Sequence, residues 1–378
     1  METNFGTSTP YSLGIEEEFQ ILDGETLGLV SGIEGILAVF EGDAQASRIT
    51  PELLQSVVEV STRIASTVPE AIEDLGDLRS RLRQAAEERD ASIASAGTHP
   101  FSRYRRQEIT ERPRYVRIAR RLRWLAERQT VFGLHVHVGM GSADKAIACA
   151  NGMRRLLPAL LALSANSPFW QGRATGLASN RIKVNEGLPR AGLPPAFGSF
   201  AEFEAYVDTG VRTGCFPDYT HIWWDMRPHP RLGTLEIRIC DAQTRLESVK
   251  AIAALVQSLV ATIGSDFDCG AVPAPGPDVV IEENRWRATR DGLDAMLIDL
   301  DGRGERSAGD TILELVDRCL PAAEVLGCAA ELEGVEQIVD RGSGADEQRR
   351  VFEETGSLVD VTRWLVDQTA VHDAAGRR

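Results

Sequence analysis

Three consecutive acids, Glu16, Glu17 and Glu18, stand in an otherwise apolar stretch from Tyr11 to Leu22. In an extended strand successive side chains alternate between faces, so Glu16 and Glu18 share one side and Glu17 takes the other. Two carboxylates that close repel each other, and a hard divalent cation with oxygen ligands makes the pair favourable. A half-solvated strand with an exposed acidic face would need no cation. The same choice arises at Glu52 and Glu59. Glu59 lies between Val58 and Val60, where a carboxylate needs either an ordinary ion-pair partner or a metal.

Histidine is rare, with six in the chain, and His135 and His137 alternate with Leu134, Val136 and Val138. The alternation predicts a strand with both imidazoles on one face. A single strand histidine is most often structural, but two on one face suit a metal or phosphate partner. A third constellation runs from His221 to Arg227, turns through Pro228-His229-Pro230, and returns from Gly233 to Asp241. As a hairpin it places Asp225 with Arg227 on one strand face, and Glu236 with Arg238 on one face of the other. Cross-strand salt bridges are the bland account of these four charges. Their strict alternation with core-type residues favours a site.

Arg181 and Arg190 flank a Pro- and Gly-rich loop beside these strands. With Arg227 they are the candidates for holding an anionic substrate, because a guanidinium grips carboxylate or phosphate bidentately. Nine arginines lie between Arg103 and Arg123. They are spread around a helical stretch with acids between them, which predicts a solvated face and not a nucleic-acid surface. No GxxxxGK[ST] or GxGxxG motif occurs, so a nucleotide would be held by metal and side chains.

The elements that must position these residues alternate as far as Cys240. Short runs rich in Val, Ile and Phe predict strands over 12–22, 54–63, 92–97, 131–140, 221–227 and 233–240. Helical patterns fall at 69–90, 112–129, 143–165 and 199–213, the first opened by Pro69-Glu70. Beyond about 245 the pattern is helical, at 281–299, 309–325 and 345–369. The fold class is therefore α+β, with residues 1–245 carrying sheet and site and 246–378 forming a mostly helical scaffold within one catalytic domain.

A chain of 378 residues, 43% hydrophobic and 26% charged, buries a large core. A formal net charge of −15 opposes broad nucleic-acid or anionic-membrane binding. Small amino acid substrates remain open, since arginines or metal can invert the field inside a pocket. The polar segment 1–10 has no secretory pattern, and no uncharged apolar run of spanning length stands out, so a cytoplasmic protein is expected. Six scattered cysteines without a CxxC pair are expected to be reduced thiols. Self-association into a homo-oligomer is compatible with this composition.

Taken together, acids and histidines from distant strands make a carboxylate-rich, partly imidazole donor set, which suits Mg2+, with Mn2+ also possible, better than zinc. Arginines nearby point to phosphoryl transfer from a nucleoside triphosphate. The chain resembles the bacterial carboxylate-amine ligases of the glutamate-cysteine ligase type 2 group, within the glutamate-cysteine ligase and glutamine synthetase superfamily. The resemblance rests, in order along nearly the whole chain, on Gly14-Ile15-Glu16-Glu17-Glu18-Phe19, Gly97-Thr98-His99-Pro100-Phe101, Gly133-Leu134-His135-Val136-His137-Val138-Gly139, Trp224-Asp225-Met226-Arg227-Pro228 and Thr234-Leu235-Glu236-Ile237-Arg238-Ile239.

The resemblance implies a mainly antiparallel sheet curved into an open cup with helices on its outer side. By matching motifs it implies Glu16, Glu18, Glu59, His135 and Glu236 as metal ligands, and His135, His137 and Arg238 as contacts to ATP phosphates. Arg238 and Glu236 would be catalytic, Arg238 steadying the transferring phosphate. The implied reaction joins glutamate and cysteine through an acyl phosphate, giving γ-glutamylcysteine, ADP and phosphate. The stretch 180–187 departs from the aromatic, Trp-rich pattern of many relatives, and it would shape the acceptor pocket. Two other readings fit some of the same residues. His-x-His on a strand also holds zinc in amidohydrolase barrels, which need parallel strands, and an ATP-binding regulator would keep the ligands without turnover.

Overall fold

The computed structural model describes residues 1–272, 274–300 and 303–371. The main sheet has seven strands: β1 (Leu13–Asp23), β2 (Ile49–Pro51), β3 (Val57–Ser61), β4 (Ala91–Ala94), β5 (Leu134–Gly139), β6 (Met226–His229) and β7 (Thr234–Ile237). Their order is β6-β7-β5-β1-β3-β2, with β4 also pairing to β1. Every pair in this sheet is antiparallel and the sheet is open. The parallel barrel that the amidohydrolase reading requires is not what the chain forms.

The period-2 alternation divides the sheet into two unlike faces. Ile15, Phe19, Ile21, Val58, Val60, Val136, Val138, Leu235 and Ile237 point to one side and are buried in a single core cluster. Each contributes about 1.5–3 kcal/mol by leaving water. Helices Val68–Glu87 and Leu246–Asp268 pack against this face. The first is opened by Thr67, whose side chain accepts from the Glu70 amide, with a proline in its first turn. Leu246–Asp268 is long and apolar enough to cross a membrane, yet 78% of its apolar window is buried inside the fold. Such all-round hydrophobicity is what a central core helix requires. The sequence reading included it in the helical part beyond residue 245 without giving it bounds.

Several predicted helices are interrupted where the backbone cannot continue. The stretch 112–129 divides into Pro113–Leu122 and Trp124–Glu127 at Arg123, which has a positive φ of 56°. The stretch 143–165 bends by 65° between Ala143–Arg154 and Leu157–Ser164, with a proline in the first turn of the second piece. The pattern at 281–299 is helix Asp278–Asp291 stopped by Gly292, followed by strand Met296–Ile298, which pairs with Glu305–Ser307. The pattern at 345–369 is two helices, Gly344–Thr355 and Leu358–Thr369, parted by left-handed Gly356. The segment expected as one strand over 221–227 is split: Trp223–Trp224 pairs in parallel with Ala191–Gly192, and only Met226 onward joins the main sheet. Strand β2 was not anticipated.

Candidate active site

The face of the sheet away from the core helices carries the polar residues, and strand register sets them side by side. Glu16 is opposite His135, Glu18 opposite Glu59, Glu236 opposite His137, and Arg227 opposite Glu236. Directly opposed side chains are in contact range across an antiparallel pair. Glu17 points the other way, fully buried, where the Arg79 guanidinium donates to its carboxylate with Nε at 2.9 Å.

These side chains line a cavity of about 460 Å3. His135 Nδ1 is 3.3 Å and His137 Nε2 is 3.5 Å from the same Glu16 oxygen, and His137 Nε2 is 3.9 Å from Glu236. Thr234 Oγ1 lies 3.0 Å from His137 Nδ1. On the far side, Arg227 Nε donates to Glu236 at 2.6 Å and Arg238 closes on the other Glu236 oxygen. The Gly133 amide donates to Glu18 at 2.6 Å. A Cβ at Gly133 would meet the Arg181 guanidinium and His135, so a larger residue there would displace Arg181.

The electrostatics divide the acids into two groups. Burial works to raise the Glu16 carboxyl, but His137 and His135 hold it well below the usual carboxylate range. Burial likewise opposes ionisation of Glu236, and Arg227 and Arg238 overcome it. In contrast, burial pushes Glu18 up to about 7, helped by Glu52, and raises Glu52. Glu59 is raised well above its ordinary value by burial and by the charges of Glu16, Glu52 and Glu18. His135 is lowered to about 4 by burial and by Arg238. His137 is raised, Glu16 outweighing its burial.

This arrangement suits a divalent cation. Three groups each bring their donor atoms within 4.8 Å of one another: Glu16, His137 and Glu236; Glu16, Glu59 and His135; Glu18, Glu52 and Glu59. His137 Nε2 is buried with no well-formed hydrogen bond among the described residues and faces the Glu16 and Glu236 carboxylates at 3.5 and 3.9 Å. Three mutually repelling, part-buried carboxylates are the complement of a hard cation. Carboxylate oxygen with imidazole suits magnesium or manganese.

The sequence candidates are thus largely brought together. Glu16, Glu18, Glu59, His135, His137, Arg181, Arg227, Glu236 and Arg238 all line the cavity. Arg181 is also committed to the fold, donating to the Arg238 and Ile239 carbonyls at 3.1 Å each, with Asp241 at 3.8 Å. Arg190 is not among the cavity-lining residues. Its Nε donates to the His221 carbonyl and its guanidinium stacks on Phe216 and Trp223. His99 is likewise elsewhere, Nε2 on the Leu27 carbonyl and Nδ1 accepting from the Phe101 and Ser102 amides.

Glu52, paired with Glu59 in the sequence but not counted there among the metal ligands, completes the carboxylate group with Glu18 and Glu59. One residue escaped the sequence reading. Arg285, on helix Asp278–Asp291, donates to Asp225 at 2.6 Å and also pairs with Glu186. Nothing local marks it, because its partners are distant in sequence.

The comparisons place the chain among the carboxylate-amine ligases of the glutamate-cysteine ligase type. The model of the Glutamate-cysteine ligase family 2 matches residues 12–363, and the chain belongs to that family. A Rubrobacter xylanophilus protein provisionally named glutamate--cysteine ligase 2-1 is 46% identical over 359 residues, covering 95% of each chain. A second from the same organism, provisionally named glutamate--cysteine ligase 2-3, is 45% identical over 98% of this chain and 100% of its own length. Among solved structures, glutamate--cysteine ligase from Francisella tularensis in complex with AMP superposes with a TM-score of 0.70 at 15% identity, over 97% of this chain and 91% of that one. A bifunctional glutathione synthetase from Pasteurella multocida gives 0.70 at 16%, over 96% of this chain and 52% of that one. The chain is accordingly an enzyme of the ligase class.

Proposed function

We propose that this protein forms an amide between glutamate and cysteine at the expense of ATP, through an acyl phosphate, giving γ-glutamylcysteine, ADP and phosphate. The observation that carries the reading is the convergence of Glu16, Glu18, Glu59, Glu236 and two histidines on one sheet face, with Arg227 and Arg238 beside them. In this reading the whole chain is one catalytic domain, the sheet of residues 1–245 forms the floor of an open cup, and 246–378 is scaffold, residues 372–378 lying outside those described.

Glu16, Glu18, Glu59, His135 and Glu236 would hold magnesium, with Glu52 added to that set. The ion would supply charge neutralisation for the triphosphate. The protein's own part is positional and electrostatic. Arg238, fixed by Glu236, would steady the charge that develops on the transferring phosphoryl group. His135, held neutral, offers a hydrogen bond to phosphate without adding charge. Arg181 and Arg227 face the cavity as anchors for the glutamate carboxylates. The attacking amine must be neutral, so a nearby carboxylate or water would accept its proton.

The test is phosphate release from MgATP with glutamate fixed and amines varied, products identified by mass. Release that requires both glutamate and cysteine, with a γ-glutamyl product, supports the reading. ATP binding with no release for any pair would favour a regulator, and release with a different amine would reassign the acceptor.

A further inference from the structure

Beside the cavity, and sharing Arg114, Ile118, Leu122, Thr220 and Trp223 with its wall, runs a groove of about 710 Å3. One side is helix Pro113–Leu122, which presents Arg114, Arg117, Arg120 and Arg121, all exposed. The spacing 114, 117 and 121 is one face of a helix. Four of the nine arginines expected on a solvated face are exposed as expected, and they line this groove beside the cavity.

In a chain of net charge −15 Arg117, Arg120 and Arg121 stand without an acid paired to them among the described residues, while Arg114 acts on Glu52 of the cavity. Arg114, Arg117 and Arg120 make no ion pair and no side-chain hydrogen bond among the described residues. Arg121 donates to the Gly214 and Cys215 carbonyls, which leaves its charge unpaired. Behind the opposite wall, Arg190 stacks on Phe216 and Trp223, and its Nη2 is buried without a partner. The one acid on the lining is Asp218, which accepts from Thr220 and lies beside His221. Arginines gathered on one wall with few acids beside them can share an anion, and an unpaired guanidinium matches a carboxylate bidentately.

We propose that this groove is an acceptor subsite for amines that carry two or more further carboxylates, short acidic peptides in class, and that the enzyme acylates such amines better than free cysteine. The inference rests on the ligase reading. Chemically the step is unchanged. The peptide amine forms the new C–N bond to the activated carbonyl, the C–O bond to phosphate breaks, phosphate leaves with the electron pair, and the amine proton passes to a cavity carboxylate or water.

The experiment compares cysteinyl-diglutamate with cysteinyl-diglutamine as acceptors, at low and high salt, in the wild type and in an Arg117→Gln/Arg120→Gln double variant whose altered side chains are exposed. The expected result is about a tenfold or greater kcat/KM preference for the acidic peptide, weakened by salt and lost in the double variant, with kcat/KM for cysteine and KM for ATP held. Equal use of the two peptides overturns the inference while leaving the ligase reading intact. So does a double variant whose KM for ATP rises instead, since the groove would then serve the nucleotide. If no acceptor is turned over at all, the ligase reading fails, and calorimetric binding of triglutamate decides separately. Binding lost in the double variant retains the anion groove, and no binding to the wild type removes it.

Discussion

Glu17 and Arg79 form an ion pair with both side chains withdrawn from water, Arg79 Nε donating to the carboxylate at 2.9 Å and Nη2 reaching the Gln243 carbonyl at 2.8 Å. Glu17 lies in β1 between Glu16 and Glu18. The pair thus fixes the strand that presents both cavity acids, from the side opposite the chemistry. Removing one partner of a buried pair leaves an uncompensated charge. Glu17→Gln should therefore lose about 3–5 kcal/mol of stability in denaturant unfolding, while the folded fraction keeps near-normal turnover. Unaltered stability would show that Arg79 finds another partner.

Glu236 is the hub between Arg227, Arg238 and His137. Glu236→Gln should lower kcat by about 100-fold or more, because Arg238 loses the carboxylate that aims it and the site loses a donor. Circular dichroism and a parallel titration with Mn2+ separate this from unfolding. A folded variant with near-normal kcat removes Glu236 from the mechanism.

Glu59 makes the metal assignment testable without turnover. Its carboxyl is raised well above its ordinary value by burial first and then by Glu16, Glu52 and Glu18. A raised folded pKa means that the ionised form destabilises the fold above the unfolded value, with the penalty growing as pH rises. Glu59→Gln should therefore raise the Tm of chelator-treated protein at pH 8, yet reduce the Tm gain on adding Mg2+. For the wild type that gain is about 2.7 kcal/mol at a hundredfold excess over Kd. A variant that is less stable without metal, or equally responsive to it, would contradict the ligand role.

His99 yields a pH dependence away from the site. Its imidazole is lowered to about 4, chiefly by burial, so the unfolded chain takes a proton near pH 6.5 that the fold refuses. Stability is complete above pH 6.5 and falls as pH drops towards 4, by roughly 3 kcal/mol in all. In His99→Asn this component of acid lability should vanish, with kcat unchanged. Acid sensitivity identical to the wild type would assign it elsewhere.

The alternating strands were legible because period-2 patterning is a local property. Glu16, Glu18, His135, His137, Glu236 and Arg238 could be assigned to faces before any tertiary contact was known. What stayed hidden depends on contacts between segments far apart in sequence. Arg79 and Arg285 sit in ordinary amphipathic or charged helices, and only packing brings them to Glu17 and Asp225. Arg190 looked like a substrate residue from its loop, but its backbone adopts a positive φ of 62° and the side chain turns onto Phe216 and Trp223. The helix breaks at Arg123, Gly292 and Gly356 are single-residue changes of φ that apolar periodicity runs straight through.

The central claim, amide formation through an acyl phosphate at this sheet face, is tested most directly by isotope transfer. Glutamate labelled with 18O in its γ-carboxylate would be turned over with MgATP and cysteine, and the phosphate released examined by mass. The account predicts one labelled oxygen in phosphate for each amide formed, because the attacking carboxylate oxygen leaves with the phosphoryl group. Amide product accompanied by unlabelled phosphate would contradict it.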